Sequence, residues 1–350
     1  MPSPLRSVSI PRLLHVAPDS LGRLGELLDA HDFDTATVLL GSGRGPSQAY
    51  AATVRESCEK AGMRVVEQTG LAGQLGQAAE LASVIISSQV TVAVAVGGGR
   101  VIDTMKLATA RTSTDFVSVP TTMAHDGISS PVASLDTDGR RASHAAAMPA
   151  GIVVDTAVIG SAPPRTLRAG VGDLTSNLTA ILDWQLADAA GADRYDAYCG
   201  LIAESAARPA LDVTDLTSAA DHELLAKGLL LSGLAMAAAG TSRPCSGAEH
   251  LISHSLDAML GDRAALHGEQ VALGCLISAA AHRSPLLGQA QELFRRLGLP
   301  VKPADIGITD GEMAAAVRAA PATRPDRYTV LDELDLGNGD VDRLLEDAFA

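Results

Sequence analysis

Apolar positions in the first half of the chain fall into short unbroken runs, and the stretches between them repeat at helical spacing. Residues 35–41 (TATVLLG), 64–70 (RVVEQTG), 90–99 (VTVAVAVGGG) and 115–122 (DFVSVPTT) read as strands. Residues 45–62 (GPSQAYAATVRESCEKAG) and 76–88 (GQAAELASVIISS) read as the helices between them. Strands that are apolar throughout, rather than alternating, are buried on both faces. With helices in between, they predict a parallel sheet covered on each side. From about Pro163 the pattern becomes helical without interruption. LTSNLTAILDWQLADAAG, YCGLIAESAARPALDV, HELLAKGLLLSGLAMAAAG and SGAEHLISHSLDAML all carry the 3.6-residue period. The expected organisation is an α/β domain over residues 1–162 and an all-α domain over 163–350, with the active site in a cleft between such domains.

The chain has 350 residues, 47% of them hydrophobic, which suffices for two packed cores. Aromatics make up only 3%, so Leu, Val, Ile and Ala must fill the interior. The net charge of −14 and pI of about 5.0 argue against a nucleic-acid partner and against an anionic membrane. Cys58, Cys199, Cys245 and Cys275 are scattered, without a C-x-x-C pair. A thiol-based metal site or a disulfide framework is therefore not expected, and a reducing cytoplasm is. The opening residues, MPSPLRSVSIPRLLH, hold no continuous apolar core of signal-peptide length. The most apolar segment, residues 224–240, contains Lys227 and Ser232 and is too short for a span, so it reads as a buried core helix.

Candidate chemistry collects at two kinds of place. The first is the ends of adjacent strands. Gly97, Gly98 and Gly99 close one strand and open the helix beginning near Val101. Glycines there permit a sharp bend and close approach of a ligand, and a helix N-terminus offers N–H groups and a positive dipole end to a pyrophosphate. A tight turn without a ligand accounts for the same residues. The spacing is neither G-x-G-x-x-G nor a Walker A loop. The next strand ends in SVPTTMAHDGISSP, whose Thr121, Thr122, His125, Asp126, Ser129 and Ser130 sit where ligands bind in open parallel sheets.

The second place is a helix carrying His250 and His254 four residues apart, hence on one face. Ser246 and Glu249 fit an S-x-x-E capping box that starts this helix. Near the positive end of the dipole both imidazoles are kept neutral and able to ligate. Leu251 stands where H-E-x-x-H needs Glu, so a zinc-protease reading fails. His267 follows in ALHGEQVALG, and Asp173 comes just after Gly170 and Gly172 at what reads as a helix start, where an N-cap role is the simpler explanation. Two His and one Asp with open positions would make a catalytic rather than a structural metal set.

The segments GGGRVIDTMK, SVPTTMAHDGISSPVASL, GVGDLTSNLTAILDWQLA, SRPCSGAEHLISHSLD, LHGEQVALG and RPDRYTVLDEL, in this order, resemble the glycerol-1-phosphate dehydrogenase branch of the iron-containing alcohol dehydrogenase, glycerol dehydrogenase and dehydroquinate synthase superfamily. The resemblance runs from about Pro11 to Leu344. It implies a dinucleotide-binding α/β domain followed by a helical domain of the dehydroquinate synthase-like kind. It further implies one divalent metal held by Asp173, His250 and His267, commonly zinc, with iron or nickel as alternatives. His254 would point at the substrate or relay a proton, and Asp126 and Asp173 would contact the substrate. Gly97, Gly98, Gly99, Arg100, Val101, Ile102, Asp103, Thr121, Thr122, Met123, Ala124 and Ser130 would hold NAD(P)H. The implied reaction is reduction of a small ketone, dihydroxyacetone phosphate to sn-glycerol 1-phosphate, in a homo-oligomer. A cyclase like dehydroquinate synthase is the alternative, and so is a dehydrogenase of an unphosphorylated polyol. The first ligand in the cyclase branch is usually Glu, where this chain has Asp173. Val132, Met123 and Cys245 depart from the branch's usual residues, and they bear on the exact substrate. Arg243 is the cation expected to pair with a phosphate, and Arg44, with no carboxylate in GSGRG, the one expected to accept a 2′-phosphate.

Overall fold

Among the described residues there are eight strands: β1 (Leu13–Ala17), β2 (Thr37–Ser42), β3 (Arg64–Gln68), β4 (Val92–Gly97), β5 (Asp115–Pro120), β6 (Val132–Thr137), β7 (Arg140–Ala145) and β8 (Gly151–Asp155). The computed structural model describes residues 8, 10–137, 139–337 and 339–350. Six strands make one parallel sheet in the order β1-β8-β5-β4-β2-β3. β2, β4 and β8 are buried along their whole length, and for β2 and β4 this is why they read as continuous apolar runs. At the two edges, β1 and β3 are only part-buried. Helices α1 (Leu24–Ala30), α2 (Pro46–Lys60), α3 (Leu75–Ser87), α4 (Gly99–Thr112) and α5 (Thr156–Ser161) complete this unit. Sequence periodicity did not reveal β1, β8 or the antiparallel hairpin β6–β7.

After β8 every regular element among the described residues is helical: α6 (Pro164–Ala189), α7 (Ala197–Ala207), α8 (Ala219–Ala239), α9 (Ala248–Leu260), α10 (His267–Ala281), α11 (Leu286–Leu297), α12 (Asp310–Thr323) and α13 (Asp340–Phe349). The chain divides into two compact units: residues up to Met123 with Gly127–Pro163, and Ala124–Asp126 with Pro164–Ala350. No helix of the described residues is long and apolar enough to cross a membrane.

Glycines set the helix spacing in the second unit. A Cβ on Gly268 of α10 would lie 1.9 Å from the Ala169 carbonyl oxygen, and one on Gly172 of α6 would lie 2.3 Å from the Gly268 carbonyl oxygen. A Cβ on Gly274 of α10 would lie 2.7 Å from Cα of Glu249 in α9. The α6, α9 and α10 backbones therefore touch, closer than any side chain would allow.

Candidate active site

In the α/β unit, β2 pairs with β3 on one side and β4 on the other, so the strand order reverses between β2 and β4. Ligands in open parallel sheets bind at such a reversal, outside the carboxyl ends of the strands. The glycine turn lies there. Gly97 and Gly43, which follows β2, both back onto Val101: a Cβ would come within 2.7 and 3.0 Å of its side chain. The turn needs glycine for this close approach and not for a left-handed bend, since none of Gly97, Gly98 and Gly99 has a positive φ. Gly98 is the N-cap of α4, and no side chain caps the helix; the Val101 N–H donates to the Gly98 carbonyl at 3.0 Å, which leaves the N–H groups of Gly99 and Arg100 as the ones a helix start offers to an anion. Thr121 extends the strand end by donating its N–H to the Gly97 carbonyl at 3.0 Å, and the Thr122 hydroxyl stands 3.1 Å from where a Gly98 Cβ would be.

Some of the expected cofactor residues are engaged inside the fold. Val101 and Ile102 are buried core residues, and Met123 is fully buried. The Asp103 carboxylate accepts from the buried Lys106 ammonium at 3.1 Å and from the Ser134 N–H at 3.1 Å. Lys106 also donates to the Gly127 and Val132 carbonyls. Arg100 is exposed at the helix start, Ala124 is half-buried, and the buried Ser130 places its hydroxyl 3.4 Å from the Val132 carbonyl.

In the helical unit, Asp173, His250 and His267 come together with one ligand atom each, all within 4.8 Å of one another. Asp173 does not start a helix, as the glycines before it suggested. It lies well inside α6, and the Gly172 before it serves helix packing. The His267 Nε2 is 3.4 Å and the His250 Nε2 3.7 Å from the same Asp173 Oδ1. Each ring is aimed by a partner on its other nitrogen: His250 Nδ1 is 3.1 Å from the buried Glu249 carboxylate, and His267 Nδ1 is 3.0 Å from the Ser253 hydroxyl. That is the outer support that metal-ligating imidazoles have. Burial, followed by the Asp126 charge, pushes the Asp173 carboxyl well above its usual range, while the Asp126 N–H, donating to Oδ2 at 2.8 Å, opposes this. A buried carboxylate under that strain suits a cation, so the donor set fits a divalent metal.

The capping box is not formed as expected. Helix α9 begins at Ala248 with Gly247 as N-cap and no side-chain cap from it, so Ser246 lies outside the helix. Glu249 accepts from the Gly247 N–H, and Asp183 of α6 accepts from the Ala248 N–H at 2.6 Å, so a remote carboxylate replaces the local hydroxyl. The Asp126 carboxylate lies 2.9 Å from the Ser232 hydroxyl. The His254 ring centroid is 6.4 Å from that of His250, and its imidazole is pushed down to about 3 by burial first, then by the charges of His250, Arg324 and Arg327. Arg243, the expected phosphate partner, is instead engaged: Nε donates to Asp193 at 2.7 Å and a terminal nitrogen to the Tyr328 carbonyl at 2.7 Å. Glu249, Ser253 and Ser232 escaped the sequence reading as supports of the cluster. The signal for Ser253 was its place three residues after His250 in HLISH, and none marked Ser232 as a partner of Asp126.

Comparison with known proteins agrees with this architecture. Residues 15–163 match the family model described as iron-containing alcohol dehydrogenase. The Cenarchaeum symbiosum protein named glycerol-1-phosphate dehydrogenase, NAD(P)+, is 35% identical over 338 residues, covering 95% of this chain and 93% of that protein. The Methanosarcina mazei protein of the same name is 40% identical over 261 residues, covering 73% of this chain and 70% of that protein. Among solved structures, glycerol dehydrogenase from Schizosaccharomyces pombe superposes with a TM-score of 0.80 at 20% identity, over 99% of this chain and 92% of that one, which shows the shared fold. The chain belongs to the glycerol-1-phosphate dehydrogenase family, within the iron-containing alcohol dehydrogenase superfamily.

Proposed function

We propose that this protein reduces dihydroxyacetone phosphate to sn-glycerol 1-phosphate with NAD(P)H at a divalent metal, zinc by the family's habit. The observation that carries the reading is the convergence of Asp173, His250 and His267, with both rings aimed at one carboxylate oxygen. A metal bound there supplies Lewis acidity at the ketone oxygen. The nicotinamide supplies the hydride.

The chain's own residues bind and orient. Glu249 and Ser253 fix the two imidazole rings. Asp126, steadied by Ser232, contacts the substrate's polar groups. His254 is neutral throughout the physiological range, so it serves the substrate oxygen as a hydrogen-bond partner and takes up a proton only transiently. Gly97–Gly99, Arg100, Thr121, Thr122, Ala124 and Ser130 carry the dinucleotide, with the first-turn amides of α4 on its pyrophosphate. Arg44, exposed after β2 with no carboxylate among its immediate neighbours, accepts a 2′-phosphate, so NADPH serves at least as well as NADH.

The test is an assay of the metal-loaded protein with dihydroxyacetone phosphate and each cofactor. One NAD(P)H consumed per glycerol phosphate formed, with the product of the sn-1 configuration, is expected. Product without net cofactor loss, or no turnover, overturns the reaction. A strong preference for NADH overturns the Arg44 role alone.

A further inference from the structure

His250 and His267 turn the same nitrogen, Nε2, toward Asp173, but their other nitrogens meet different partners. The Nδ1 of His250 faces the Glu249 carboxylate, an acceptor, so the proton of the neutral ring belongs on Nδ1. The Nδ1 of His267 faces the Ser253 hydroxyl at 3.0 Å, a group able to donate or to accept. What decides lies one step further out. Gln270 of α10 donates its side-chain amide to the Asp257 carboxylate at 3.0 Å and to the Ala265 carbonyl at 2.9 Å. Both partners are acceptors, so the amino end of the amide must face them and its oxygen must face Ser253. That oxygen accepts from the Ser253 hydroxyl at 3.0 Å. A serine has one proton. Given to Gln270, it leaves the Ser253 oxygen as an acceptor toward His267, and only a ring protonated on Nδ1 matches it. Turned to His267 instead, the proton would desert the Gln270 oxygen, and neither Ser253 nor Gln270 has exposed surface where water could replace it. The sequence lines these groups up: Ser253 and Asp257 follow His250 by three and seven residues, on one face of α9, and Gln270 follows His267 by three on α10.

We infer that Gln270 is a positioning residue that sets the tautomer of His267 through Ser253, holding the ring proton on Nδ1 and leaving the Nε2 lone pair turned toward Asp173 for a cation. An unguided neutral imidazole divides its proton between the two nitrogens, and a proton on Nε2 would put a donor where the cation binds. The hydrogen-bond chain from Asp257 and Ala265 through Gln270 and Ser253 removes that choice before any metal arrives. The assignment rests on the proposed reading of Asp173, His250 and His267 as ligands of a divalent metal.

The experiment compares the full-length parent with Gln270→Leu, which keeps the bulk of the side chain without its amide, with Ser253→Ala, and with Ser278→Ala as a control on α10. The Ser278 hydroxyl is buried with no hydrogen-bond partner among the described residues. Nitrogen NMR of the histidine-labelled, metal-free proteins at about pH 8, where an ordinary imidazole is neutral, reads the tautomer, and a His267→Gln spectrum identifies the His267 signals. Zinc ion titrated against a chromophoric chelator reads the affinity. The parent and Ser278→Ala should show His267 protonated on Nδ1. Gln270→Leu and Ser253→Ala should lose that preference and bind zinc more weakly by about tenfold or more. The rise in Kd should match the reciprocal of the Nδ1–H fraction that remains, because only that form has its Nε2 lone pair ready. A role in packing alone would weaken zinc binding without moving the tautomer. A parent ring protonated on Nε2, a Gln270→Leu protein with the parent's tautomer, or a zinc loss unrelated to the tautomer ratio overturns the assignment. If Gln270→Leu does not fold, the parent spectrum and Ser253→Ala decide. If the parent binds no zinc, the proposed metal reading fails, and the spectra alone still decide which nitrogen carries the proton and whether Gln270 sets it.

Discussion

In the α/β unit the strand ends are shaped by backbone: the start of α4 has no side-chain cap, and glycines let the strand ends approach Val101. In the helical unit the site is made of side chains. A carboxylate from α6 and imidazoles from α9 and α10 meet on a floor of buried polar partners. The first kind of site is built by local geometry. The second needs three helices at fixed separation, and its selectivity lies in the identity of a few atoms. A backbone site tolerates changes of side chain around it, whereas a side-chain site fails with the loss of any one member.

The sharpest way to break that contrast is at the imidazoles. His250→Ala and His267→Ala are expected to lose bound metal and to lower kcat/KM by about a thousandfold or more, since Lewis-acid stabilisation is worth several kcal/mol. His254→Ala should impair turnover with metal retained. Thr122→Ala, in the backbone site, should raise the cofactor KM by a few-fold and leave metal untouched. Metal analysis beside steady-state kinetics reads all four, and full metal occupancy in His250→Ala would sink the ligand assignment.

The second test sets one glycine from each unit against the other. A Cβ on Gly268 would lie 1.9 Å from a backbone carbonyl oxygen that cannot move without displacing α6, so Gly268→Ala should destabilise the fold by about 3 kcal/mol. A Cβ on Gly98 would meet only the Thr122 hydroxyl, at 3.1 Å. Gly98→Ala should therefore keep its Tm within about a degree or two and raise the cofactor KM by about tenfold, because the methyl stands where the pyrophosphate approaches. Thermal melts and cofactor titrations of the two variants decide. A Gly268→Ala protein that melts like the parent would contradict the helix packing described here.

These glycines also explain what could and could not be read along the chain. The central strands announced themselves because burial on both faces leaves no polar positions. GGG was visible as a turn, but its reason, close approach to Val101, was not, because that contact joins strand ends to a helix face. Asp173 was misplaced to a helix start because glycine usually punctuates a helix. Inside α6 it instead makes the groove for α10, a tertiary reason that no local rule contains. His250 and His254 share a face by spacing alone, whereas the meeting of Asp173 with His267 spans about half of the helical unit in sequence. The family resemblance supplied that meeting in advance, and the packing of α6, α9 and α10 supplies its cause. Arg243 illustrates a contact that spacing does not show. A cation near a helix start looked like a phosphate ligand, but Asp193 and the Tyr328 carbonyl occupy it, while Arg327, from a segment eighty residues downstream, donates to the same turn.

The smallest effect concerns the charge balance of the side-chain site without metal. Asp173 is raised by burial and by the Asp126 charge, so in the folded protein it holds its proton to higher pH than in the unfolded chain. The folded state then binds more protons than the unfolded state between the ordinary carboxyl pKa and the raised one. Its contribution to stability is therefore present below the ordinary value and is lost as pH rises through the folded one. At neutral pH the buried carboxylate is a liability that a cation would relieve. Asp173→Asn keeps an acceptor for the Asp126 N–H and removes the charge, so the metal-free variant should melt a few degrees above the metal-free parent at pH 7. The gain should shrink as pH falls toward 4. Added divalent metal should raise the parent's Tm and leave the variant's unchanged. His254, held at about 3, acts in the other direction: the unfolded chain takes up its proton below about 6.5 while the folded protein does not, so stability falls with pH from there toward 3. Because His254 is common to both proteins, the difference between their melting curves isolates Asp173. A metal-free Asp173→Asn protein less stable than the parent at pH 7 would show that the carboxylate is already compensated within the fold, and the argument for a resident cation would lose its electrostatic support.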